Sequence, residues 1–144
     1  MFKPQKIYII YFLMLNVFFA SGYTKLFLLE FENTSQSKQL EDLRHELPDF
    51  IKDANYETDF SIDYTGEIAP YLGIKDENNQ DALLVLGKFN INNSIINISF
   101  EVYDMSIWNK LLERSYSCGF SDTQCIESNM LTLSYDALYP LSLS

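Results

Sequence analysis

The sequence predicts an α+β fold: a mixed β-sheet containing an antiparallel three-strand meander, with helices packed on one face. Three observations predict it. Two short runs, Lys25–Glu32 and Ala82–Phe89, are apolar at successive positions, as strands buried on both faces are. Ile96, Ile98, Phe100 and Val102 alternate with Asn97, Ser99, Glu101 and Tyr103, the period of a strand with one covered face. Two longer segments repeat apolar residues every three or four positions, which marks helices with a single buried stripe. A chain of 144 residues, 47% of them hydrophobic, can enclose one core and is too short for two ordinary ones.

The amino terminus reads as an export signal. Lys3 and Lys6 precede Ile7–Ala20, 14 residues of hydrocarbon and aromatic surface broken only by Asn16. Wound as a helix, such a segment reaches ~21 Å, short of the roughly 30 Å hydrocarbon core of a bilayer. Ala20 and Gly22 put small residues where a signal peptidase needs them, so cleavage ahead of Tyr23 is expected. Residues 1–22 are then a signal peptide and 23–144 a single domain. The alternative is an uncleaved, membrane-tethered form, and membrane contact is expected only through that segment.

Ten basic residues against twenty acidic ones give a net charge of −10. Cleavage removes two lysines and no acids, taking it to −12. No basic face can form that neutralises a run of phosphates, so nucleic acid is excluded as a partner class.

The elements follow in order. Lys25–Glu32 (KLFLLEFE) is a strand that must lie inside the sheet, and Asn33-Thr34-Ser35 supplies turn and cap chemistry. Gln36–Asp53 aligns Leu40, Leu43, Leu47, Phe50 and Ile51 on one stripe, with Pro48 expected to kink the helix or start a second piece. Tyr56–Tyr64 alternates, predicting a half-buried strand whose other face carries Glu57, Asp59, Ser61 and Asp63. Thr65–Gly73 suits a helical turn or two, and Asp76–Asp81 a polar loop. Ala82–Phe89, the Ile96–Val102 strand and Trp108–Cys118 form the meander, with a turn at Ile91–Ser94. Ser121 and Gln124 form a capping box for a last helix, in which Ile126, Met130, Leu133 and Ala137 share a face until Pro140 stops it.

Two segments carry a family resemblance. Leu26–Ser35 (LFLLEFENTS) resembles the opening strand of the TolB amino-terminal-like periplasmic domain, related in fold to the CsgG, FlgO and LpoB group. Leu84–Tyr116 resembles that family's later stretch, with Gly87 at its Gly position, Tyr103-Asp104 at its strand-ending pair and Trp108 near its Trp. The resemblance implies a periplasmic domain of the cell envelope that acts by protein contact, without catalytic residues or cofactors to carry over.

The residues with chemical potential are few. His45 lies near Glu41, Asp42 and Asp49 on the first helix, where a carboxylate-oriented base is conceivable, but no nucleophile sits in an elbow-type turn. Asp76, Asn78, Gln80 and Asp81 offer oxygens without the spacing of a calcium loop. Cys118 and Cys125 flank the junction of the last strand and the final helix, close enough to expect a structural disulfide in an exported protein. Tyr103, Trp108 and Tyr116 are the candidate aromatic interaction patch. The expected function is that of a non-enzymatic envelope adaptor or assembly protein, in an outer-membrane or flagellar-motor-associated complex, with an unidentified protein partner. A small hydrolase-type enzyme using His45 is the alternative, and no cofactor or metal is expected.

Overall fold

The computed structural model describes residues 22–65 and 81–142. In chain order the elements are β1 (Lys25–Leu29), β2 (Glu32–Asn33), α1 (Lys38–Ala54), β3 (Ser61–Thr65), β4 (Ala82–Asn92), β5 (Ile95–Asp104), β6 (Asn109–Gly119) and α2 (Thr123–Ser142). The strands form one mixed six-stranded sheet of order β3-β1-β4-β5-β6, with β2 also pairing with β4. β1 is parallel to both its neighbours, and β4, β5 and β6 are the expected antiparallel meander.

β1 lies inside the sheet because neither of its faces is polar. Leu26 and Leu28 face the helices while Phe27 and Leu29 face the other way, and all four are buried. The main core lies between the sheet and the two helices. It gathers Leu40, Leu43, Leu47 and Ile51 from α1, Ile126, Met130, Leu133 and Ala137 from α2, and Ile96, Ile98, Phe100 and Val102 from β5. Both predicted helical stripes are thus the buried ones. On the opposite face a smaller cluster joins Phe27, Leu29, Ala82, Leu84 and Met105, with Leu86, Tyr103 and Trp108 against it.

The opening strand is not continuous to Glu32, as the sequence suggested. Leu28 is opposite Val85 whereas Glu32 is opposite Lys88, so the β1–β2 side holds one residue more than β4. One surplus residue turns every later side chain to the other face. Phe31 thereby joins the helix-side core, against Phe89 at 5.3 Å between ring centroids.

The alternation at Tyr56–Phe60 does not make a strand; β3 starts only at Ser61. Asn55 is the cause. Its side chain donates to Phe60 O at 2.9 Å and accepts from Phe60 N at 2.9 Å and Thr58 Oγ1 at 2.9 Å, and Asp59 takes φ 52°. These bonds stand in for a ladder and close a loop. Tyr56 is left 86% exposed.

Neither proline ends a helix. α1 runs through Pro48 without a second piece, held on either side by buried Leu47 and Ile51. α2 continues past Pro140, which is itself buried with Leu141. Tertiary packing outweighs the single backbone hydrogen bond that each proline removes. The cap of α2 is Asp122, whose Oδ1 accepts Cys125 N at 3.1 Å, and not Ser121. α1 is capped at Ser37, without a side-chain bond of its own; Asn33 Nδ2 donates to Ser37 O at 2.8 Å instead. All but Gly22 of the signal segment, all but Thr65 (the end of β3) of the expected helical turn at Thr65–Gly73 and nearly all of the polar loop at Asp76–Asp81 lie outside the described residues.

Candidate functional site

A concave feature walled by several exposed aromatic side chains lies where α1 ends against the second half of α2. A cavity of about 480 Å³ is lined by Asp53, Ala54, Tyr56, Glu57, Thr58, Phe60, Tyr135, Asp136, Leu138, Tyr139 and Ser142. Its walls exist because of the Asn55-clamped loop, which lifts Tyr56 and Glu57 away from the sheet. Tyr135 and Tyr139 are each 56% exposed, and Leu131 one turn earlier is 42% exposed. At about 100° per residue these three point away from the stripe of Ile126, Met130, Leu133 and Ala137. Their i, i+4, i+8 spacing was the sequence signal for this surface, and it falls on no residue singled out from the sequence.

The hydroxyl of Tyr116 donates to Asp136 Oδ2 at the edge of this region. Burial and that carboxylate push the phenol well above its ordinary range. Tyr116 also stacks on Phe100, with centroids 6.3 Å apart. It therefore faces the helices, while Tyr103 and Trp108 pack on the opposite face. The structure brings Tyr103 and Trp108 together and separates Tyr116 from them. Trp108 closes the β5–β6 turn at φ 54°, an uncommon conformation for a large side chain. Tyr103 donates to Glu101, and this bond, ahead of burial, raises the phenol and holds the Glu101 carboxyl below its usual range.

His45 is exposed on α1 and lines a separate cavity of about 250 Å³ with Glu30, Arg44, Pro48 and Tyr64. No hydrogen bond joins it to Glu41, Asp42 or Asp49. Glu41 pairs with Arg44, and Arg44 Nε lies 3.2 Å from Glu30 Oε1. Glu41 and Glu30 thus serve Arg44, and among the described residues no Ser, Thr or Cys lines this cavity. Among the described residues no group of three metal-ligating side chains occurs. No described helix is long and apolar enough to cross a membrane.

Cys118 and Cys125 are disulfide-bonded, their Cα atoms 5.9 Å apart. The bond fastens the end of β6 to the first turn of α2. At the other end of the chain Tyr23, the expected first residue after cleavage, donates its hydroxyl to Asp104 Oδ2 at 2.8 Å.

No family model matches the chain, and no curated protein does. Solved structures do. A PelC dodecamer from Paraburkholderia phytofirmans is 12% identical with a TM-score of 0.52, over 85% of this chain and 90% of that one. Protein XCC0632 from Xanthomonas campestris is 6% identical with a TM-score of 0.50, over 85% of this chain and 87% of that one. TolB from Acinetobacter baumannii, namesake of the fold group read from the sequence, also matches, with 9% identity, a TM-score of 0.44, and 83% of this chain against 28% of TolB. For PelC and XCC0632, at these identities, the likeness is one of fold.

Proposed function

We propose that this chain is an exported, non-enzymatic adaptor of the cell envelope that works in the periplasm through protein contacts. One observation carries the reading: Leu131, Tyr135 and Tyr139 on α2 and Tyr56 in the loop after α1 remain exposed beside a buried core. Large aromatic side chains left out of a filled core are typical of surfaces that bury them against a partner. The leader-like segment 1–22 supplies the address, and the disulfide suits an oxidising compartment. The acidic surface resists non-specific adhesion to anionic lipids.

The test is a photocrosslinking amino acid placed at position 131, 135 or 139 in intact cells. A covalent adduct with an envelope protein is expected from at least one position. Absence of an adduct from all three overturns the reading. Mass determination of the purified protein distinguishes the released from the tethered form, since release leaves Tyr23 as the first residue.

A second reading is self-assembly. The PelC structure of like fold is a dodecamer, and here β6 presents an 11-residue edge strand whose outer side pairs with nothing among the described residues. A monomer by light scattering at working concentrations dismisses it.

A further inference from the structure

The groove between α1 and α2 is acidic as well as aromatic, and this constrains its occupant. Asp53, Glu57 and Asp136 line it, and among the described residues no Lys, Arg or His does. Both helices bring their carboxyl ends to it: Ala54, the last residue of α1, and Ser142, the last of α2, are in its wall. The aligned peptide dipoles of a helix leave about half a negative charge at its carboxyl end. Lys52 is the basic residue in the last turn of α1, but it is not part of the lining, and α2 has no basic residue in its last turn. Asp136 is engaged by Tyr116, so Asp53 and Glu57 are the carboxylates left for a ligand. Tyrosine faces add attraction for a cation and a surface for an alkyl stem.

We propose that this groove binds an arginine- or lysine-bearing segment of another protein, whose side-chain cations meet Asp53, Glu57 and the two helix ends while their stems lie on Tyr56, Tyr135 and Tyr139. The proposal rests on the contact reading above and gives that partner its chemistry. Flat acidic surface elsewhere attracts cations too, but without aromatic walls it offers only a screened, long-range field.

The probe is an acetylated tetra-arginine amide, titrated at near-physiological salt into the protein as purified from cells and followed by calorimetry and amide chemical shifts. Shifts confined to residues 53–60 and 135–142 are expected. Tyr135→Ser combined with Tyr139→Ser keeps the charge, changes two exposed positions, and is expected to weaken binding about tenfold. Asp42→Asn with Glu46→Gln removes two exposed carboxylates from α1 outside the groove and is expected to change affinity by less than about twofold, because salt screens such distant charges. Equal losses in the two variants, or shifts spread over the whole acidic surface, overturn the proposal. So does a dimer that the tyrosine pair dissolves, which would make a second copy the occupant. A protein that crosslinks from position 139 yet ignores the peptide keeps the adaptor reading and loses this one.

Discussion

The ring of Phe31 lies against the bare Cα of Gly87: a methyl group there would stand 2.2 Å from Phe31 Cζ. No side chain tolerates that approach. The contact follows from the surplus residue between β1 and β2, which turns Phe31 onto the strand at the one position of β4 without a side chain. Gly87→Ala is expected to destabilise the fold by about 1–3 kcal/mol, because a filled core must shift to admit the methyl group. Phe31→Leu should recover part of that loss in the double variant. Urea midpoints of the four proteins measure the coupling, and strictly additive effects would remove the contact from the explanation.

The Cys118–Cys125 bond closes a short loop across a sequence separation of 7. The chain-entropy model assigns such a loop about 2.5 kcal/mol, from restriction of the unfolded chain. Denaturation with and without reductant should differ by roughly that amount. The reduced protein should fray first at the start of α2, where Asp122 and Cys125 hold the cap. Hydrogen exchange at residues 123–127 reads this directly; uniform loss of protection would contradict it.

Asp104 accepts from Tyr23 Oη at 2.8 Å, from Ser106 N at 2.8 Å and from Ser106 Oγ at 2.6 Å. Burial alone would raise its carboxyl, but these donors outweigh it and hold the group below its ordinary 3.8. Its contribution to stability is therefore complete above about pH 3.8 and is lost as pH falls through the lower folded value. Tyr23 has the opposite sign. Burial, the bond to Asp104 and its charge push the phenol from 10.0 up to about 12, so its contribution is complete below pH 10 and fades as pH climbs towards 12. Asp104→Asn should flatten the acid limb of the stability profile and Tyr23→Phe the alkaline limb. Unchanged slopes in both would deny the pair any part in either.

The β4–β5 turn places Asn93 at φ 51° and Ser94 at φ 64°. Two consecutive positive values are the signature of a type I′ hairpin, for which Asn-Gly is the favoured pair. Ser94 is exposed, and its side chain hydrogen-bonds to none of the described residues. Ser94→Gly is expected to stabilise the protein by about 0.5–1 kcal/mol, by relieving the left-handed strain of a residue with a Cβ. A lower melting temperature would show that the unfolded-chain entropy of glycine outweighs that relief.

Much of the architecture was written in periodicity. The central strand runs, the alternation of β5 and the stripes on both helices depend on which side chains avoid water, and that is a property of each segment alone. The misread features are those where a few specific bonds overrule local pattern. Asn55 turned an alternating segment into a loop, Asp122 displaced Ser121 as the cap, and packing around Pro48 and Pro140 carried the helices through residues that usually end them. Tyr116 and Trp108 were grouped by composition, yet the sheet puts them on opposite faces.

The sequence by itself determined the fold class, the antiparallel meander, the two long helices, the net charge and the cysteine pair, because each arises from local spacing or simple composition. Only the tertiary structure decided that Phe31 sits on Gly87 and that Tyr56 meets Tyr135 and Tyr139 around one acidic groove. Those are meetings of residues far apart along the chain, and their geometry exists only after the sheet register and helix packing are fixed.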